Sequence, residues 1–111
     1  MTTDAEIAVE VMGWDLAYNN PGSVWDFSTE DTWLDMPVED WHPTTDISQA
    51  FQVVDKMVCD GWNFELRKNK CRDMCVCVFW RVDIVARGIG QHKDPAMAIC
   101  KAALAAIRDK P

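Results

Sequence analysis

Apolar and polar positions alternate along most of the chain with periods that name their elements. Near the start, Ile7, Ala8, Val11 and Met12 share one helical face. Thr3-Asp4-Ala5-Glu6 precedes them as a capping box, a hydroxyl at the cap with a glutamate three residues on. Gly13 ends that helix because it enters the left-handed region cheaply, and Trp14 takes the position that packs back on the last turn. A second helix opens at Thr45-Asp46. Ile47, Ala50, Phe51, Val54, Met57 and Val58 mark its apolar stripe, and Gly61 closes it. The period then drops to two. Trp62, Phe64 and Leu66 alternate with Asn63, Glu65 and Arg67, which predicts a strand. Lys68-Asn69-Lys70 reads as a turn, and Met74 to Trp80 as a strongly apolar strand. Val82, Ile84 and Ala86 predict a third strand reaching about Ile89, with Gly88 and Gly90 loosening its end. Asp94-Pro95 starts a last helix, an N-cap acid followed by proline at the first position. Its buried face is Ala96, Ile99, Ala103 and Ile107, and its many alanines imply close packing on a sheet.

Residues 15–44 break the pattern. Asn19-Asn20-Pro21-Gly22 is a strong turn signal, but Trp25, Phe27, Trp33, Leu34, Met36 and Trp41 lie among acids without a clean period. This stretch reads as a long acidic, aromatic loop or insertion, pinned to the body by its aromatics, and as the first candidate for function. The predicted fold is a single α+β domain over residues 1–111, a three-stranded antiparallel sheet packed by helices. Its order is helix, long loop, helix, three strands, helix.

Composition supports an ordinary core: 49% of the 111 residues are hydrophobic and 26% charged. No apolar run is long enough to cross a bilayer, and the acidic amino terminus lacks the basic segment of a signal peptide, so a cytoplasmic location is expected. Five cysteines cannot all pair within one chain and are expected as free thiols. Cys71, Cys75 and Cys77 match no zinc spacing, and Cys75 and Cys77 share one face of a strand, where buried small residues belong. No metal or other cofactor is expected. The net charge of −7 is unevenly spread: residues 1–60 hold thirteen acids and a single base, Lys56, whereas residues 61–111 hold five acids and ten bases.

Three stretches resemble one family. Ala8-Val9-Glu10-Val11-Met12-Gly13-Trp14 is similar to the "A-x-x-VMGW" opening of the phage ABA-sandwich domain proteins. Thr44 to Met57 resembles that family's "STDI…VVEKL" helix, and Asp94 to Leu104 resembles its "TAPLAICRAAL" helix. The blocks occur in the family's order and span nearly the whole chain. The resemblance implies a phage or prophage origin and a fold, with no catalytic residues to carry over. The stretch from Asp26 to Trp41 departs from the family in length and charge.

Chemistry is sparse. His42 precedes a proline in a loop and His92 lies between strand and helix, neither in a motif with serine or cysteine. No phosphate-binding fingerprint appears, and Gly88-Ile89-Gly90 is only a fragment of one. The acid pairs Glu30-Asp31 and Glu39-Asp40 are chain neighbours, which rarely converge on one substrate atom. An enzyme is not expected. Binding is: Asp26, Glu30, Asp31, Asp35, Glu39 and Asp40, with Trp33 and Trp41, form a surface suited to a basic partner. The most specific expectation is a host protein complex, with the chain inhibiting a bacterial antiphage defence in the manner of an anti-CRISPR. One alternative is a nucleic-acid-binding or regulatory module using Arg67, Lys68, Lys70 and Arg72, since the run from Thr45 to Lys110 also resembles the double-stranded RNA-binding fold. Another is a homo-oligomeric assembly protein, possible as a homodimer, which an exposed apolar sheet face would favour.

Overall fold

A computed structural model describes residues 2–19, 22–28, 34–69, 71 and 73–109. The chain opens with an α-helical turn Thr3–Glu6 that continues as a π-helical stretch Ile7–Val11, together α1. The cap is Thr2 and not Thr3: its hydroxyl accepts from the Ala5 amide at 3.2 Å. Gly13 is left-handed at φ 73°, and the Trp14 amide returns to the Ala8 carbonyl at 2.9 Å. Helix α2, Ile47–Cys59, ends the same way one register tighter. Gly61 sits at φ 100°, its amide bonds Val58 O and the Trp62 amide bonds Met57 O, the paired bonds of a Schellman close. Helix, glycine, tryptophan, three antiparallel strands therefore occurs twice. The sequence signal was the dipeptide itself, Gly13-Trp14 and Gly61-Trp62.

The first set of strands replaces the expected loop. β1 (Asp15–Asn19), β2 (Gly22–Asp26) and β3 (Asp35–Pro37) form a small antiparallel sheet in the order β1-β2-β3, followed by a 3-10 turn at Val38–Asp40. The large sheet, β4 (Asn63–Asn69), β5 (Met74–Arg81) and β6 (Ala86–His92), is the expected three-stranded meander. Its last strand starts later than predicted. Residues 82–85 are a turn, because Arg81 is paired to Asp83 by two hydrogen bonds of 3.0 and 2.6 Å and Val85 turns left-handed at φ 52°.

Burial follows the pleat. Cys75, Cys77 and Phe79 of β5 and Ala86, Gly88 and Gly90 of β6 face the helices. Helix α3, Pro95–Asp109, lies across β5 and β6 and packs on α2 and α1. Asp94 caps it through the Ala96 amide at 2.9 Å, as its sequence demands. Gly88 and Gly90 do not loosen the strand. A methyl on Gly88 would lie 2.1 Å from the Ala106 amide nitrogen, and one on Gly90 would lie 2.2 Å from the Ala98 carbonyl oxygen. The two glycines let the backbones of β6 and α3 meet along Ala98, Ala102 and Ala106. The opposite face of the large sheet carries Met74, Val76, Val78 and Trp80, all half-buried, and Ile89, which is exposed.

Candidate functional site

The small sheet gathers carboxylates. In its ladder Asp15 stands opposite Asp26, and Asp26 opposite Asp35, so three acids form one row across three strands. Side chains directly opposite on one face are about 5 Å apart, and like charges there are destabilising. The Ser28 amide donates to Asp26 Oδ1 at 2.9 Å and holds that carboxyl below its ordinary range. The middle carboxylate of the row is thus kept ionised. Glu39 and Asp40 follow, exposed, on the 3-10 turn; Leu16 is also exposed, but as the strand neighbour of Asp15 it belongs to the other face of the sheet. Asp15 was absent from the sequence-derived set. The turn signal in the sequence from Asn19 to Gly22 could have found it, since pairing outward from Asn19 and Gly22 sets residue 15 against residue 26.

The aromatic half of the expected surface is corrected. Trp41 is only 2% exposed, its indole N–H donates to the Asp4 carbonyl at 3.1 Å, and it meets Trp14 edge-on at 4.6 Å between centroids. Trp14 in turn stacks on Phe27 at 5.0 Å, and Trp25 is buried. These rings do what the packing reading asked of them, pinning residues 15–44 to α1, and Trp41 is a core residue with no face for a partner. Asp4 also accepts from the Thr44 amide at 3.0 Å, closing the same junction. Gln49 of α2 bridges the next residues, accepting from the His42 amide and donating to the Asp40 carbonyl. Glu30, Asp31 and Trp33 lie outside the described residues.

The alternative basic site is partly neutralised. Arg67 pairs with Glu65 at 3.1 Å and Lys68 with Asp73 at 3.6 Å, all four exposed. Arg67, Lys68, Asn69 and Val76 line a cavity of about 320 Å³. Lys70 and Arg72 lie outside the described residues. Elsewhere Arg108 bridges from α3 to Glu6 and Glu10 of α1, at 2.7 Å for Glu10 Oε2, and lowers the pKa of Glu10. Cys75, Cys77 and Cys100 are buried, and burial pushes the Cys77 and Cys100 thiols up to about 12, whereas Cys59 and Cys71 are exposed. Among the described residues, no three histidine, cysteine or acidic side chains come together as a metal site. No described helix is long and apolar enough to cross a membrane.

This geometry defines a class before it defines a role: an α+β domain built from two helix-led, three-stranded antiparallel sheets, one of them carrying a row of acids. The phage ABA sandwich domain profile matches residues 5–104, and the chain belongs to that family. Its fold is also similar to that of a phage protein from Bacillus cereus ATCC 14579 in a crystal structure. The two share a TM-score of 0.65 at 18% identity, over 98% of this chain and 87% of that one. No curated protein matches the sequence.

Proposed function

We propose that this chain is a non-enzymatic phage accessory protein that works by binding in the bacterial cytoplasm, and that its acidic sheet occupies a basic surface of an antiphage defence complex, as an anti-CRISPR does. The observation that carries the reading is the row Asp15, Asp26 and Asp35. Strand register brings the three carboxylates into one row, and a positive surface laid across the sheet would meet them together. Carboxylates at strand spacing can stand where a nucleic-acid backbone would otherwise lie.

The test is a pull-down from a phage-host lysate with the wild type, with Asp15→Asn/Asp26→Asn/Asp35→Asn and with Arg67→Glu/Lys68→Glu. Asparagine keeps the oxygen that accepts from the Ser28 amide and removes the charges at nearly constant side-chain size, and circular dichroism checks that the triple variant is folded. It should lose the captured complex, and the wild-type affinity should fall steeply with salt. Capture that survives neutralisation of the row but fails in the Arg67/Lys68 variant would transfer the role to the basic hairpin and to nucleic acid.

A further inference from the structure

The two edges of the large sheet end differently. On β6 the Arg87 amide donates to Asp109 of α3 at 2.9 Å, so it points away from β5 and a side chain closes it. That bond fixes the direction of the other amides in the sheet. In an antiparallel ladder the N–H and C=O of one residue point to the same side, and the side alternates from residue to residue. Arg87 faces outward, so its partner Trp80 bonds Asn63 on the other side, and Glu65, Arg67 and Asn69 bond β5 likewise. Phe64, Leu66 and Lys68 therefore turn their N–H and C=O outward, away from β5. Among the described residues no strand pairs with β4 on that side, and no side chain closes these groups as Asp109 closes β6. The open ladder begins at Phe64, because the Trp62 amide is taken by the Met57 carbonyl. Proline and bulges commonly guard an edge, and Asn63–Asn69 contains neither.

Unpaired backbone groups along a strand are complemented by another strand. An exposed apolar strip runs beside this edge: Ile47, Phe51 and Val58 of α2 are 42%, 43% and 50% exposed. Their spacing puts them on one side of the helix. Phe51 meets Phe64 at 6.5 Å between centroids, edge to face, so that side is the side of β4. We infer that β4 pairs with β4 of a second copy, antiparallel and two-fold, with Leu66 opposite Leu66. The open groups set this register, and charge does not. Leu66 is the middle of the three outward residues, so only this centre pairs all of them: Leu66 with Leu66, and Phe64 with Lys68 in both directions. Three residues on each of two copies, each donating one N–H and accepting one, make six backbone hydrogen bonds. The two-fold axis stands normal to the sheet, so both copies keep their helices on the same face. The α2 strip, roughly 17 Å long from Ile47 to Val58, then meets its counterpart across the joint. A foreign strand would bond the edge and leave that strip in water, whereas a second copy covers both. The register also sets Glu65 opposite Arg67 of the second copy. Those two already pair within each chain at 3.1 Å, and in the dimer the four charges alternate in sign with none facing its like. The product is a continuous six-stranded sheet, isologous and so closed at two copies. It leaves the acidic row free and does not depend on that reading.

Sedimentation velocity of the full chain between about 10 µM and about 1 mM, with amide hydrogen exchange at both ends of that range, tests it. The wild type should pass from monomer to dimer and go no further. The amides of Phe64, Leu66 and Lys68 should exchange fast when dilute and become protected when concentrated, while those of Glu65 and Arg67 stay protected throughout. Lys68→Pro removes an outward N–H and leaves the ladder to β5 intact, so it should stay folded and monomeric. Val58→Glu, at an exposed position, should weaken the dimer with the Tm of the dilute protein unchanged. Glu65→Arg should weaken it by about tenfold, and Glu65→Arg/Arg67→Glu should restore it, because the two-fold register opposes these two positions. A wild type monomeric throughout, assembly beyond the dimer, edge amides protected when dilute, or a Lys68→Pro protein that dimerises as the wild type does would each overturn the proposal. So would a dimer that Val58→Glu leaves untouched, or one that the charge swap fails to restore.

Discussion

One methyl group at Gly88 should be enough to lift α3 off the large sheet. The added carbon would sit 2.1 Å from Ala106 N, 2.4 Å from Ala102 O and 2.6 Å from Ala106 Cα. All three are helix backbone atoms, so no side chain can swing aside. Restoring contact distances near 3.5 Å requires the helix to retreat by about 1 Å or more. That retreat also opens the neighbouring contact of Gly90 with Ala98 and Ala102, since one rigid helix makes both. Overpacking ordinarily costs about 1–3 kcal/mol, and a backbone-on-backbone overlap belongs at or beyond the top of that range. Against a total stability of about 5–15 kcal/mol this is a large fraction, with a Tm lowered by about 10 °C or more. Urea unfolding followed by the fluorescence of the six tryptophans reads the change as a lower midpoint. Gly22→Ala is the control, because nothing lies within 4 Å of its added carbon, and it should stay within about 0.5 kcal/mol of the wild type. A Gly88→Ala protein equally close to the wild type would refute the seam. Rescue by Ala106→Gly would refute the backbone argument, because that change removes only a side chain.

Trp41→Ala should cost about 3–5 kcal/mol in the same assay, since it empties the junction between α1 and the residues after β3 and removes the indole bond to the Asp4 carbonyl. Asp46→Ala removes the acceptor for the Gln49 amide at the start of α2 and should cost about 1 kcal/mol. Glu10 has a folded pKa below its ordinary value of 4.5, held there by the hydrogen bond from Arg108. Its contribution is therefore present above that value and is lost as pH falls through the folded pKa. Arg108→Ala should flatten the fall of the urea midpoint between about pH 5 and about pH 3. A thiol-specific reagent at neutral pH should label Cys59 and Cys71 quickly and reach Cys75, Cys77 and Cys100 only on unfolding.

Legibility followed the range of the interactions involved. The end of each leading helix was readable because a left-handed glycine and the tryptophan behind it act within one turn of chain. The meander β4-β5-β6 and the capped α3 were readable because alternation and an Asp-Pro start are local as well. The small sheet was read as a loop because β1 and β2 are five residues each and β3 three, too short for alternation to show through. The third strand was started too early because Val82 and Ile84 continue the alternation, whereas the Arg81–Asp83 pair and a left-handed Val85 have already turned the chain. Gly88 and Gly90 look like strand breakers until the helix that needs them is in place.

The order of charged and apolar residues was sufficient for the helices, the caps of α2 and α3, the large meander, the burial of Cys75 and Cys77 and the excess of acid in the first half, because each depends on neighbours a few positions away. Which acids stand together, which tryptophans are sealed, and where β6 and α3 touch were decided only in three dimensions. Asp15, Asp26 and Asp35 lie far apart along the chain and meet through strand register. Trp41 is buried by a carbonyl 37 residues away. Asp15 and Asp26 share one hairpin, but the third strand and the contacts of Trp41 and α3 are choices among chain-distant partners, which no short stretch of sequence holds together.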